Sequence, residues 1–462
     1  MLLLLMMVFS FVYYARGQEH LRAPWRTVAR NPMAMASVVI LFFYLLVGLT
    51  DSVHFHPRLE NVNEQEMQVS KETTYSTVVL SLLDVAITHL RVQDEKTYSS
   101  PFASHAYSKE TIEIADGSTI REYPRLVYGG AHLLDPEQER IVDIALKSLL
   151  GVVYGLMVWC FISALIIFTV KYRFRQPFKD VLIKMLSKES EVPWKTIHFT
   201  LGAVLVSLTL SLTLSNYYHI LGTDKIGQDV FYQALKSVRT GLVIGTLTTL
   251  VMLPFAILMG LMAGYFRGWI DDVIQYLYTT LSSIPGVLLI AASILMLQVY
   301  MANHADDFVS LEQRADMRLL FLCIILGITS WTGLCRMLRG ETMKLREVDY
   351  VQAAQAFGVS HFTIILRHLL PNVMHIVMIS IVLDFSGLVL AEAVLSYINI
   401  GVDPSMHSWG NMINSARLEM AREPVVWWSL AAAFVFMFVL VLAANLFSDA
   451  VRDAFDPRIR GA

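Results

Sequence analysis

Long apolar runs separated by charged junctions dominate this sequence, and they leave few folds open. The runs lie at approximately 34–50, 147–170, 196–215, 237–264, 272–300, 318–335, 372–395 and 428–450. Each meets or approaches the roughly 18 to 20 residues a helix needs to cross hydrocarbon. Lipid offers the backbone no hydrogen-bond partners, so such runs read as helices. Of 462 residues 55% are hydrophobic and 16% charged, and the charges gather between the runs. The expectation is an all-α integral membrane protein with eight spans, or nine if Met1–Tyr14 also crosses. That first stretch reaches only about 21 Å as a helix. It also lacks the basic n-region and the A-x-A-like site of a removable signal peptide.

Basic residues set the orientation, because short loops rich in Lys and Arg stay cytoplasmic. Arg16, Arg22, Arg26 and Arg30 precede the first full span and place that arm inside. Alternation then puts 171–195 inside, where Lys171, Arg173, Arg175, Lys179, Lys184, Lys188 and Lys195 sit. It does the same for 336–371, with Arg336, Arg339, Lys344, Arg346 and Arg367, and for the terminal Arg452, Arg458 and Arg460. The stretches 51–146, 216–236, 301–317 and 396–427 fall outside. Lipid is the surrounding medium, and a net charge of -3 implies no nucleic-acid partner. Cys160, Cys323 and Cys335 lie in or beside apolar runs and imply neither a disulfide framework nor a zinc site.

The chain divides into an N-terminal apolar segment and basic arm (1–33), a first full span (34–50), an inserted extracytoplasmic domain (51–146), a helix pair with a basic loop (147–215) and a core (216–462). The 51–146 stretch is too long for a bare connection. Thr111–Ile114 and Thr119–Tyr123 alternate around Asp116-Gly117 as a β-hairpin, and Asp135-Pro136-Glu137 reads as a helix start. Pro254 and Pro285 fall inside spans and would kink them.

No G-x-x-x-x-G-K-[ST], G-x-S-x-G or H-E-x-x-H occurs, so ATP would be hydrolysed elsewhere, and no cofactor or metal is expected on this chain. His54 and His56 read more simply as a solvated turn than as a metal pair.

The informative cytoplasmic segment is 340–371. From Arg346 to Phe357 it reads as a short helix, with Gly358 suited to the left-handed position just past the end. Tyr350, Ala354 and Phe357 share a face at i, i+4 and i+7. Amphipathicity alone would also suit a helix lying on the lipid surface. Ala353-Ala354, then Gly358, then Leu370-Pro371 follow the order of the EAA coupling loop and resemble that feature of ABC importer permeases. The run Arg367-His368-Leu369-Leu370-Pro371-Asn372 resembles the oligopeptide/dipeptide branch.

The likeness continues. Leu221-Gly222-Thr223-Asp224-Lys225-Ile226-Gly227-Gln228-Asp229-Val230 is similar to that branch's L-G-T-D-x-x-G-R-D-V, and Ala263–Asp271 to its A-G-Y-F-x-G-W-x-D turn. Leu390–Ala393, Ser408-Trp409-Gly410-Asn411-Met412 and Arg452–Arg458 resemble three more signatures in order, so coverage runs from about 220 to 460. Gln352 stands where the coupling loop usually has glutamate, and Gln228 where the outer loop has arginine. The insertion 51–146 and the pair 147–215 depart from the pattern, but two added crossings preserve orientation downstream.

The resemblance implies a type I ABC importer permease bundle in a bacterial inner membrane, importing oligopeptides or dipeptides. Its implied partners are a second permease subunit as a heterodimer, two ABC ATPases that hold ATP and Mg, and an extracytoplasmic binding protein. Tyr350, Gln352, Ala353, Ala354, Phe357, Gly358, Leu370 and Pro371 would couple to the ATPase. Gly222, Thr223, Asp224, Gly227, Asp229, Trp409, Gly410 and Asn411 would meet the binding protein, and 51–146 would shape that docking or cover the pore. Asp384 and Glu392 lie eight residues apart on one span, about 80° around a helix, and are candidates for the translocation path. Asp384 reads somewhat more simply as a structural hydrogen bond to a neighbouring helix, and Glu392 equally as a gate or hinge or as a plain interfacial group. An ion-coupled transporter using both as a relay is the alternative, although the paired broken spans of such folds are not evident. A membrane scaffold without transport is the other; the coupling loop separates all three.

Overall fold

The computed structural model describes residues 19–58, 76, 79–113, 119–174, 192–304 and 311–455. Met1–Tyr14, Arg16, the Asp116-Gly117 turn, Arg175 to Lys188 of the basic loop and the final Asp456-Pro457-Arg458 with Arg460 lie outside these residues. Among the described residues eight helices are long and apolar enough to cross a membrane.

An amphipathic arm, α1 (Glu19–Arg30), precedes the span α2 (Pro32–Ser52). Asn31 starts α2: its Oδ1 accepts the N–H of Met33 and Ala34, and Pro32 needs no such partner. Trp25 lies against Phe447 and Phe455 and so ties the arm to the last span. There follow β1 (His54–Phe55), β2 (Leu80–Ser81), α3 (Leu82–Ala86), α4 (Thr88–Val92), β3 (Glu110–Glu113) and β4 (Thr119–Glu122). β1 pairs antiparallel with β2, and β3 with β4, Thr111 opposite Arg121 and Glu113 opposite Thr119. The long α5 (Pro136–Phe174) then starts at the predicted Pro136 and packs along α6 (Trp194–Ser215), close enough that a Cβ on Gly151 or Gly155 would strike Thr213 or Thr209.

The core is arranged on α7 (Val230–Phe266), 37 residues and about 55 Å long. α8 (Trp269–Ser283), α9 (Gly286–Asn303) and α10 (Leu311–Arg346) follow. α10 runs parallel to α7: Gly327 faces Thr248 and Val251, and further along Gly260 faces Leu338 and Gly264 faces Thr342. Small residues at that spacing let two membrane helices approach closely, which is what drives association without a hydrophobic effect.

Two proline expectations change. Pro254 does sit within α7. Pro285 does not kink a single span 272–300 but divides it: Ile284 is extended, and Pro285 caps α9. The residue before a proline is pushed out of helical geometry, and here the chain turns between two helices. Pro371, expected to close a loop, lies inside a continuous helix α12 (His361–Tyr397). That helix absorbs it through a wide turn over Ile365–Leu369, where the Leu370 N–H reaches back to the Ile365 carbonyl. α11 (Asp349–Ala356) precedes α12; α13 (Trp409–Glu419) and α14 (Trp428–Phe455) complete the bundle.

Candidate functional site

Two sites occupy opposite ends of α7. At its C-terminal end lies the segment from Arg346 to Asn372. α11 ends as a glycine-terminated helix should: the Gly358 N–H donates to Gln355 O and the Val359 N–H to Ala354 O, with Gly358 at φ 75°. Val351 is fully buried, and Ala354 packs beside it on the core formed with Ile364, Leu369 and Val373. The predicted shared face of Tyr350, Ala354 and Phe357 is therefore divided. Ala354 turns inward and Tyr350 sits at the edge, where its hydroxyl accepts from Asn372. Phe357, just past the helix, is 88% exposed, as is 72% of Phe362. Gln352 and Ala353 are exposed, while Leu370 and Pro371 are half-buried in α12.

This segment is fastened to the core. The Tyr265 hydroxyl lies 2.7 Å from His361 Nδ1 and accepts from Gln355 Nε2 at 3.3 Å. Arg339 makes a two-pronged ion pair with Asp271 at 2.5 and 2.7 Å, joining α10 to α8. Arg267 meets Glu347 at 2.7 Å, but both are about half exposed, so water screens the pair. Tyr265, Phe266, Arg346, Gln355, Gly358 and His361 line a cleft beside α11. Reading the sequence missed Tyr265, His361 and Phe362 as part of this surface; Tyr265 and Asp271 lie within the A-G-Y-F-x-G-W-x-D turn, which was the available signal.

At the other end, the residues expected to meet a binding protein are mostly covered. Thr223 is fully buried: its hydroxyl donates to Thr97 O and accepts the Ser99 N–H, while its carbonyl accepts from Trp428 Nε1. Gly222 and Gly227 have positive φ and lie against the backbone of Ser99 and Glu95. Asp229 caps α7 by accepting the N–H of Phe231 and Tyr232. Trp409 is buried and donates to Ala234 O, and Gly410 abuts Ala393 and Ser396. Asp224 and Asn411 are half-buried; Asn411 holds the carbonyls of Asp403 and Met406. These residues build the loops, and the exposed tips beside them are Lys225, Ile226, Pro404 and Ser405. The cover comes from 95–107 and 126–130, whose contacts with residues as distant in sequence as Tyr217, His219 and Thr223 no local pattern announces.

Asp384 and Glu392 are not a matched pair. Glu392 is buried and accepts from Ser396 Oγ at 2.7 Å, close to Gly410. Asp384 is half-buried on α12 with no hydrogen bond or ion pair to another described residue. His54 Nε2 faces Arg239 at 3.0 Å and His56 Nδ1 faces Ser76 O, so the two rings do not share a partner.

Residues 256–461 match the family described as binding-protein-dependent transport system inner membrane component. The glutathione transport system permease protein GsiD of Pectobacterium atrosepticum is 31% identical over 244 residues, 52% of this chain and 73% of that protein. The chain belongs to this permease family. The oligopeptide transport system permease protein OppC of Mycobacterium bovis is 32% identical over 52% of this chain and 77% of its own length. The dipeptide transport system permease protein DppC of Bacillus subtilis is 28% identical over 52% and 69%. The chain is thus a multi-pass inner-membrane permease of the oligopeptide/dipeptide group; the family match spans the Arg346–Asn372 segment and Trp409–Asn411, while Gly222–Asp229 precede it.

Proposed function

We propose that this permease forms half of the pore of an ATP-driven importer for short peptides, as a heterodimer with a second permease subunit. Of two separate ATPases, which carry ATP and Mg, one grips α11 and the other the second permease subunit, and an extracytoplasmic binding protein delivers substrate at the opposite end. The supporting observation is the polarity of the α11 segment. Val351 anchors one side in the core, while Phe357 and Phe362 present large apolar surfaces outward beside a cleft. Exposed aromatics of this kind mark a partner surface. Lys225, Ile226, Pro404 and Ser405, rather than the buried glycines and Asp229 behind them, would touch the binding protein. The inserted segment 51–146, on the same side, shapes that docking or covers the pore.

The test is affinity purification of the tagged chain from its own membranes, with the ATPase activity of co-purifying proteins measured for the natural sequence and for Gly358→Asp. A Cβ at Gly358 meets nothing within 4 Å, so the substitution adds about 1 to 2 kcal/mol of left-handed strain and a charge beside Phe357 without a clash. The expected result is an ATPase that accompanies the natural chain and is lost from the variant. An ATPase absent from both would overturn the importer reading.

Asp384 is the group on which the ion-coupled alternative depends. Asp384→Asn should leave ATP-dependent peptide uptake into vesicles within about twofold. Uptake by the natural chain that tracks a proton gradient instead of ATP, and that Asp384→Asn abolishes, would favour that alternative.

A further inference from the structure

The segment 79–133 reaches the N-terminal end of α7 through buried charge. Glu95, with its side chain 2% exposed, accepts the N–H groups of Val127, Tyr128 and Gly129 at 2.9, 2.8 and 3.1 Å. The same carboxylate lies 3.4 Å from His219 Nε2. The ring's other nitrogen, Nδ1, is 2.7 Å from Asp229 Oδ2, and the second oxygen of Asp229 caps α7. A continuous buried chain therefore runs from the 127–129 backbone through Glu95, His219 and Asp229 to the first turn of α7. Two turns further on, Lys236 of α7 is held by Asp84 from the same segment.

A brace needing only strength would be made of apolar residues, since buried ion pairs seldom outdo a hydrophobic replacement. A charged brace holds a single register and lets go when one charge is lost. What it holds is a single helix whose far end carries Tyr265, in contact with Gln355 of α11 and His361 of α12. Near that end α7 lies against α10 at Gly260 and Gly264.

We propose that residues 84–95 together with 127–129 form a clamp on α7 that sets the resting position of α11, with Glu95 as a positioning residue acting through His219 and Asp229. The inference rests on reading α11 as the coupling helix. It requires α7 to transmit a change at its N-terminal end as a rigid-body shift, which a packed helix does more readily than it deforms.

The ionisable groups around His219 are Asp229 and Glu95 in contact, with Asp94 and Asp224 beyond them and His89 facing Asp229 from α4. Burial opposes a charged ring, but the hydrogen bonds from Asp229 and Glu95, and their charges, outweigh it and raise His219 from 6.5 to about 9. The stabilisation from charged His219 is therefore complete below about 6.5 and is lost as pH rises through about 9.

The experiment is amide hydrogen exchange on the full-length chain in lipid nanodiscs, read at 349–356 and corrected for intrinsic rates. Glu95→Gln should speed exchange there by about fivefold or more, the low end of typical coupling between distant sites. α5 and α6 should be unaffected, and Glu95→Asp, which keeps the charge, should restore much of the protection. The natural chain should show the same acceleration between pH 7 and 9.5. Should Glu95→Gln not fold, that pH series decides alone. Exchange at 349–356 that stays fixed while 219–232 loosens would reduce Glu95 to a local brace and overturn the proposal. The readout needs no ATPase, so absence of a co-purifying ATPase would remove the importer reading without deciding this one.

Discussion

Gly227→Ala is expected to unseat the segment 79–133 from the core. Gly227 has φ 82°, and a Cβ placed there would lie 1.7 Å from the Glu95 carbonyl oxygen and 2.4 Å from its carbon. Neither obstacle is a flexible side-chain end. The Glu95 backbone is fixed because its N–H donates to the Gly227 carbonyl at 2.9 Å, so the two chains cannot part without breaking that bond. Left-handed strain costs about 1 to 2 kcal/mol, and forcing a methyl into filled space about 1 to 3 more. A loss of roughly 2 to 5 kcal/mol should appear as a lower thermal midpoint of the purified chain and as faster proteolysis within 79–133. Gly358→Ala is the control: its φ is 75°, but no atom lies within 4 Å of the added methyl, leaving strain alone. Equal losses for the two variants would show that the close approach of Glu95 is not what the glycine serves.

Gly227 also shows what sequence could and could not deliver. The L-G-T-D-x-x-G pattern marked the position, but a motif records which residue is needed and not what it faces. The burial of Thr223 follows from Ser99, 124 positions away, and apolar periodicity carries no information about such pairs. Spans were legible because hydrocarbon imposes one length and one polarity on each. Their ends were less so where chemistry cut across that rule. α7 begins at Val230, not near 237, because Lys236 finds carboxylates that make it tolerable within a helix. Pro285 splits an unbroken apolar run because the constraint is on backbone geometry, which hydropathy does not measure. α12 starts at His361, well before Pro371, because one wide turn removes the conflict that normally stops a helix at proline. The end of α11 is legible down to the conformation of Gly358, since its signals are local, whereas its start lies at Asp349 because Arg346 belongs to α10.

Lys236→Met is expected to be the most damaging single change at the junction of α2, α3 and α7. The Lys236 ammonium donates to Asp51 Oδ1 at 2.6 Å, to both oxygens of Asp84 at 3.0 Å and to Ser81 Oγ at 3.3 Å. Asp51 and Asp84 are 1% and 5% exposed, so one cation compensates two buried carboxylates from separate elements. Asp84 has further support from the Ser81 N–H and the Tyr232 hydroxyl. Burial alone would raise its carboxyl, but these hydrogen bonds and Lys236 together bring it down to about 2. Its stabilising contribution in the natural chain is thus present above 3.8 and lost as pH falls through about 2. Methionine keeps the volume and removes the charge, and an uncompensated buried carboxylate costs about 3 to 5 kcal/mol. Because the damage is charge and not shape, the deficit relative to the natural chain should shrink as pH is lowered from 7 to 4, when the stranded carboxyls take up protons. Adding Asp51→Asn and Asp84→Asn to Lys236→Met should recover most of the thermal midpoint at pH 7, whereas either asparagine alone recovers less. A deficit below about 1 kcal/mol, the range of solvent-screened pairs, would mean that water reaches Lys236 and that the junction is held by apolar contact between Leu83 and Phe231 instead.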